Sequence, residues 1–285
     1  MENIKTMPVE PANALASAYS ENGYVVLPDM LSREELEAIN HEAVRIFRGE
    51  QGAVQGILPA TSTDSDDEVL SRYLCIHFPH KISNLASAML KHPRIVQTLK
   101  ELIGPNIKCM QSMLFIKASG KPGQAWHQDE NFIPTRDHSL TAAWIALDDA
   151  TVENGCLWVL PGSHKSGIIW PQRQHHDPRF DASNEAYMFP YKDEDAVAVE
   201  VKAGSIVFFN GYLLHRSLPN LTVSTTSYRR ALVNHYMSAE SLLPWSPDGE
   251  FIEARDFRDI VMVAGEDPYS YKGLEERTKP KLRAT

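Results

Sequence analysis

The feature that most constrains this chain is a change of texture at residue 107. Before it, apolar residues recur at helical spacing. After it come short runs of strand-forming residues, 107–117, 141–149, 156–161, 196–210 and 229–237, separated by Gly, Pro, Asn and Ser turns. Helices first and many short strands afterwards predict a mainly β core with helices packed outside it. No strand–helix–strand rhythm, internal repeat or GxGxxG fingerprint occurs, which argues against a dinucleotide-binding fold or a β/α barrel. A two-sheet jelly roll manages this many strands well. At 285 residues a single domain over 1–285 is expected. It divides into N-terminal helices within 13–103, a jelly-roll core over roughly 105–240 and a C-terminal extension, 241–285.

Within the first part, 13–20 reads as a short helix and 23–27 as a short strand before Pro28. Ser32-Arg33-Glu34-Glu35 is a capping box: the Ser32 hydroxyl accepts the Glu35 amide proton and the Glu35 carboxylate reaches back. Leu36, Ile39, Ala43 and Phe47 follow at helical spacing, so 33–48 is an amphipathic helix. The polar stretch 49–70, ending in DSDDE, reads as a flexible surface loop. Helices are expected at 82–91 and 93–103, the second opened by Pro93 and stopped by Gly104-Pro105.

Charge and cysteine usage narrow the function. The net charge of −9, from 37 acidic against 28 basic residues, lacks the electrostatic footprint of a nucleic-acid binder, and no polybasic patch for a membrane surface is present. No run approaches the ~20 apolar residues of a membrane span, and the opening residues lack the apolar run of a signal peptide. Cys75, Cys109 and Cys156 are scattered and odd in number, with no CxxC, which argues against a thiolate zinc site or a disulfide framework; Cys109 and Cys156 read as core fillers, and the pattern suits a reducing compartment. A cytoplasmic protein is expected.

Eleven histidines are too many for each to signal chemistry. The informative segment is Trp126-His127-Gln128-Asp129, after a strand and the turn Ser119-Gly120-Lys121-Pro122-Gly123. In extended backbone, residues i and i+2 face one side, so His127 and Asp129 can address one ion. Imidazole plus carboxylate is two-thirds of the facial triad of non-haem iron(II) oxygenases. Alone, HxD is a weak signal and reads as readily as a surface turn. His215 adds to it, closing a short apolar run after the strand 205–209 and the turn Asn210-Gly211. Fourteen residues later, Arg229-Arg230 opens another strand, and alternation turns one of the two inward. An inward guanidinium in an apolar interior needs an anion, which a carboxylate supplies bidentately; a protein salt bridge would serve equally.

The chain resembles the phytanoyl-CoA dioxygenase family of 2-oxoglutarate oxygenases from about residue 20 to residue 240. The resemblance is carried by Gly104-Pro105-Asn106-Ile107, Gln111-Ser112-Met113-Leu114 with Lys117, and His127-Gln128-Asp129. It continues in Ala143-Trp144-Ile145-Ala146-Leu147, in Glu153-Asn154-Gly155-Cys156-Leu157 running to Pro161-Gly162-Ser163-His164, and in His215-Arg216-Ser217. It implies a double-stranded β-helix, a cupin-like jelly roll, with iron(II) at its mouth held by His127, Asp129 and His215. It implies 2-oxoglutarate contacts from Ser217, Trp144, Met113 and Gln128, with the distal carboxylate on Arg229. Many members place that arginine about 11 residues after the histidine, against 14 here, so Arg230 is the second choice.

The implied reaction uses O2 to convert 2-oxoglutarate to succinate and CO2 while hydroxylating a small or medium-sized organic metabolite. Halogenating relatives lack the carboxylate ligand, and Asp129 is present. Two alternatives come from other classes: an inactive jelly-roll metabolite-binding protein, and a cupin-type metal enzyme that does not use 2-oxoglutarate. The aromatic-rich segment 165–195, with parts of 49–80, is expected to cover the substrate. Its mixed charges do not announce a polyphosphate site, so a CoA thioester is not favoured. His175-His176-Asp177 lies in a polar loop without partner spacing and is not expected to form a second metal site. His164 reads as a turn residue, His235 as a packed or hydrogen-bonded core histidine, and Trp126 as either a substrate neighbour or a plug.

Overall fold

The computed structural model describes residues 12–224, 227–242, 259–276 and 278–283. Its helices are α1 (Ala12–Asn22), α2 (Arg33–Phe47), α3 (Asp66–Arg72), α4 (Asn84–Met89) and α5 (Pro93–Leu102). Its strands are β1 (Tyr24–Leu27), β2 (Cys75–His77), β3 (Ile107–Ala118), β4 (Gln124–His127), β5 (Thr141–Ala146), β6 (Leu157–Val159) and β7 (Gln172–Arg173). They continue as β8 (Glu185–Ala186), β9 (Val197–Val199), β10 (Ile206–Asn210), β11 (His215–Ser217), β12 (Tyr228–Ser238), β13 (Val261–Ala264) and β14 (Lys281–Leu282).

A major antiparallel sheet runs β1-β10-β5-β12-β3-β2-β14, with β13 also on β3. A minor sheet runs β4-β11-β6-β9. Alternation gives the major sheet two apolar faces. Leu114, Ile116, Ile145, Phe208 and Leu232 pack against the helices, while Met113, Trp144, Phe209 and Val233 face the minor sheet's Leu157 and Val159. This is the expected jelly roll, with a cavity between its two sheets.

Helix α2 starts where the sequence requires. The Ser32 hydroxyl accepts from the Glu35 N–H, and Glu35 accepts from the Ser32 N–H at 2.8 Å. The helix buries Ile39, Ala43, Ile46 and Phe47 against the major sheet. Each large apolar side chain stabilises by roughly 1.5–3 kcal/mol, and Phe47→Ala would cost about 3–5 kcal/mol through the cavity left behind.

The structure departs from the sequence expectation in three places. The 49–70 stretch is not loop throughout, because Ser65 and Glu68 form a second capping box that opens α3. The extension after 240 is not outside the core: β13 and β14 join the major sheet, as do β1 and β2 from the N-terminal part. The segment 165–195 does not roof the cavity but lies along the outer side of the minor sheet. There Trp170, Phe189 and Tyr191 pack on Trp126, Leu160 and Leu214, and of this segment only Asp181 reaches the cavity wall.

Candidate metal centre

His127 ends β4 and His215 begins β11, and the register places them directly opposite each other. Their rings lie 4.0 Å apart, centroid to centroid. Each Nδ1–H donates to the carbonyl two residues back, His127 to Ala125 at 2.8 Å and His215 to Leu213 at 2.9 Å. That fixes the tautomer and leaves both Nε2 lone pairs free, the usual preparation of a metal-ligating histidine. Asp129 opens the turn after β4. Its Oδ1 stands 3.9 Å from His127 Nε2 and 3.7 Å from His215 Nε2. These separations are too long for hydrogen bonds and of the order that donors around a common ion keep. All three residues are buried, and their ligand atoms lie within 4.8 Å of one another; no other such group occurs among the described residues.

The electrostatics suit a cation. Burial, with His215 alongside, lowers His127 to about 3, so its imidazole is neutral at physiological pH. Burial alone would raise the Asp129 carboxyl, but the facing histidines, His235 foremost, outweigh it and hold the group below the ordinary carboxylate range. His235, from β12, places Nε2 3.1 Å from Asp129 Oδ2 and so fixes the carboxylate's second oxygen. The expected hydrogen-bonded histidine is therefore tied to the cluster itself, a link invisible until β12 of the major sheet faces the end of β4 in the minor sheet.

The cluster opens into a cavity of about 940 Å³. At its far end Arg229, 3% exposed, donates from Nε to the Gly155 carbonyl at 3.1 Å and lies 5.5 Å over the Trp144 ring. Arg230 turns away and pairs with Asp148 through two oxygens, at 2.6 and 2.8 Å. Lys117, also buried, donates to Ser217 Oγ at 2.8 Å and to the Leu218 carbonyl at 2.6 Å. Arg229 and Lys117 have no carboxylate partner among the described residues. Burial lowers Arg229 to about 10 and, with Arg229 adjacent, drives Lys117 well below its ordinary value. Gly155 makes this corner possible. At φ +83° its Cβ would stand 2.3 Å from the Leu218 oxygen and 2.9 Å from Lys117 Nζ, so only glycine lets one carbonyl face both cations.

Met113, Trp144 and Ser217 line this cavity with His127, Asp129, His215 and Arg229. Gln128 does not. Alternation turns it to the opposite side, where it donates to the Ile168 and Tyr212 carbonyls and accepts from the Trp170 N–H at 2.8 Å. It pins the 165–195 segment and touches no cavity atom, which corrects its placement among the cosubstrate contacts. Trp126 likewise faces outward, donating to Asp193 Oδ1 under the Arg216 guanidinium. His164 meets the Ser20 carbonyl, and the ring of His175 stands edge-on to Phe180. Lys117 and Arg283, which also line the cavity, were not foreseen as wall residues. Lys117 carried a signal, being a cation that closes the otherwise apolar run Met113–Ile116.

A double-stranded β-helix with two histidines and a carboxylate converging at its mouth defines a non-haem iron oxygenase fold and site. The phytanoyl-CoA dioxygenase (PhyH) family pattern matches residues 19–231. A phytanoyl-CoA dioxygenase domain-containing protein 1 of Danio rerio is 34% identical, over 81% of this chain and 91% of its own. A phytanoyl-CoA dioxygenase of Arabidopsis thaliana is 38% identical over 49% of this chain and 47% of its own, so that match spans about half the relative. A solved non-haem monooxygenase in its apo form superposes with a TM-score of 0.67 at 23% identity, covering 89% of this chain and 84% of that one, and shares the fold. The chain belongs to the phytanoyl-CoA dioxygenase family, and so to the iron(II)- and 2-oxoglutarate-dependent oxygenases. No helix among the described residues is long and apolar enough to cross a membrane.

Proposed function

We propose that the protein hydroxylates a small or medium-sized organic metabolite, with His127, Asp129 and His215 holding iron(II) and Arg229 holding the distal carboxylate of 2-oxoglutarate. One observation carries the reading: a His-Asp-His cluster shares a chamber with a buried guanidinium that has no carboxylate partner among the described residues. A buried unpaired cation is costly, and a dicarboxylate relieves it. Iron(II) bound there supplies the dioxygen chemistry that couples oxidation of 2-oxoglutarate, to succinate and CO2, with substrate hydroxylation.

The protein's own part is placement. His235 holds Asp129 in one orientation, and the two backbone carbonyls hold the imidazoles. Trp144 under Arg229 and Met113 beside it exclude water from the anion's far end, which strengthens that ion pair. Ser217, kept in place by Lys117, offers a hydroxyl at the same end. The rest of the wall is largely apolar, with Leu74, Phe78, Phe132, Ile133 and Leu282, and suits an organic substrate with an apolar body. A CoA thioester is not favoured, because the arginines on the cavity wall other than Arg229 are already engaged, Arg216 by Asp193 and Arg283 by Asp181. Three buried free thiols suit the cytoplasm.

The complete triad disfavours an inactive binding protein, and Arg229 disfavours a metal enzyme without 2-oxoglutarate. The test is a metabolite screen for substrate-stimulated succinate release with iron(II) and 2-oxoglutarate. A hit should vanish in Asp129→Ala; undiminished turnover in that variant would remove Asp129 from the ligand set.

A further inference from the structure

Strand β14 is short, yet it is sewn into the chamber wall. Lys281 and Leu282 pair with His77 and Ile76 of β2. The Leu282 N–H donates to the Gln55 carbonyl, and the Arg283 N–H to the Cys75 carbonyl, both at 2.9 Å. The Arg283 side chain then turns into the chamber wall. Its Nη1 donates to Gln124 Oε1 at 3.0 Å, and its Nη2 stands 3.2 Å from Asp181 Oδ2. Both partners belong to the Arg229 end. Gln124 donates from its backbone to Ser217 Oγ, the oxygen that Lys117 also holds, and the Asp181 N–H donates to the carbonyl of Gly123, the neighbouring residue.

Asp181 poses a problem that Arg283 answers. Among the described residues lining the chamber, only Asp129 and Asp181 are acidic. Asp129 faces the metal position, whereas Asp181, with a side chain 2% exposed, faces the end meant for an anion. Its charge is felt there: Lys117, pushed down by burial and by Arg229, is pushed back up by Asp181. Left alone, this carboxylate would repel an entering dianion across a medium that screens poorly.

We infer that Arg283 is a positioning residue for the cosubstrate: it neutralises Asp181 and so keeps the Arg229 end of the chamber open to a dicarboxylate. The inference rests on the proposed reading of that end as the 2-oxoglutarate site. It assigns a role in cosubstrate binding to a residue outside the 19–231 region that defines the family. Asp181 in turn ties β14 to the segment 165–195, and its Oδ1 stays engaged by the Ser183 N–H at 3.1 Å.

A charge cycle tests it. The full chain, loaded with manganese(II) in place of iron, is titrated with 2-oxoglutarate by calorimetry in wild type, Arg283→Met, Asp181→Asn and the double variant. Arg283→Met leaves a bare carboxylate and should weaken binding about tenfold. Asp181→Asn keeps the Ser183 contact, frees a positive charge and should tighten binding about threefold. The double variant restores neutrality and should return to within about threefold of wild type. A purely structural wall role gives a double variant at least as weak as Arg283→Met, and that result overturns the inference. Weaker binding in Asp181→Asn also overturns it, and this arm stands even if Arg283→Met does not fold. If wild type itself takes up no 2-oxoglutarate, the functional reading fails instead.

Discussion

Replacing Arg229 by methionine should make the empty enzyme more stable and unable to respond to its cosubstrate. The guanidinium is 3% exposed and has no carboxylate partner among the described residues. Burial pulls it down to about 10, a disfavouring of the charged form worth about 3 kcal/mol. The folded-state value lies below the unfolded one, so the penalty is fully present below about pH 10 and fades only above it, toward the ordinary guanidinium range. Methionine fills a similar volume over Trp144 and forfeits one hydrogen bond to Gly155, whose carbonyl keeps Lys117 at 3.3 Å. A net gain of about 1–2 kcal/mol follows, which raises Tm by roughly 2–6 °C in a domain of this size. Wild type, by contrast, should gain about 2.7 kcal/mol from 2-oxoglutarate at a hundred times its Kd. Melting curves with manganese(II), with and without 2-oxoglutarate, should therefore cross: the variant is the more stable without the ligand and the less stable with it. Arg230→Met should behave as wild type toward 2-oxoglutarate, losing about 1 kcal/mol with the Asp148 pair. A variant that melts lower when empty, or that shifts with 2-oxoglutarate as wild type does, refutes the assignment of Arg229 as the anion's partner.

Two further outcomes are expected. Gly123→Ala would place a Cβ 1.9 Å from the Ser217 carbonyl oxygen, forcing β4 and β11 apart; metal content measured after manganese loading should fall by more than half, and overall stability with it. Mutating His175 and His176 together should leave metal stoichiometry unchanged, since His175 packs against Phe180 rather than facing a second ligand; loss of one equivalent would reveal a site there.

What could be read in advance divides along local and non-local lines. The α2 boundary was legible because Ser32, Glu35 and the apolar spacing all lie within one helix. The same box at Ser65 and Glu68 is masked by its acidic, Gly- and Ser-rich context, and the helix it opens is only two turns long, with Val69 and Leu70 as its buried residues. His127 and Asp129 share a side through local alternation, and the same rule, applied one residue further, excludes Gln128. Whether Arg229 or Arg230 turns inward depends on the pairing of β12 with β3, Arg229 opposite Lys117, which no local pattern specifies. Strand β14 is two residues long and exists only because β2 and Gln55 receive it. The 165–195 segment has a lid's composition, but its aromatics found the outer face of the minor sheet first.

The register that sets His215 opposite His127 has a consequence for supply rather than catalysis. An ion held there would join β4 to β11 across more than eighty intervening residues, a staple at the β4 edge of the minor sheet. Such a staple ties the folded population to metal availability, by about 2.7 kcal/mol at a hundredfold excess over Kd. Cells short of iron would then hold less of this protein, with the empty form surrendered to proteolysis. Quantity and activity would rise and fall together.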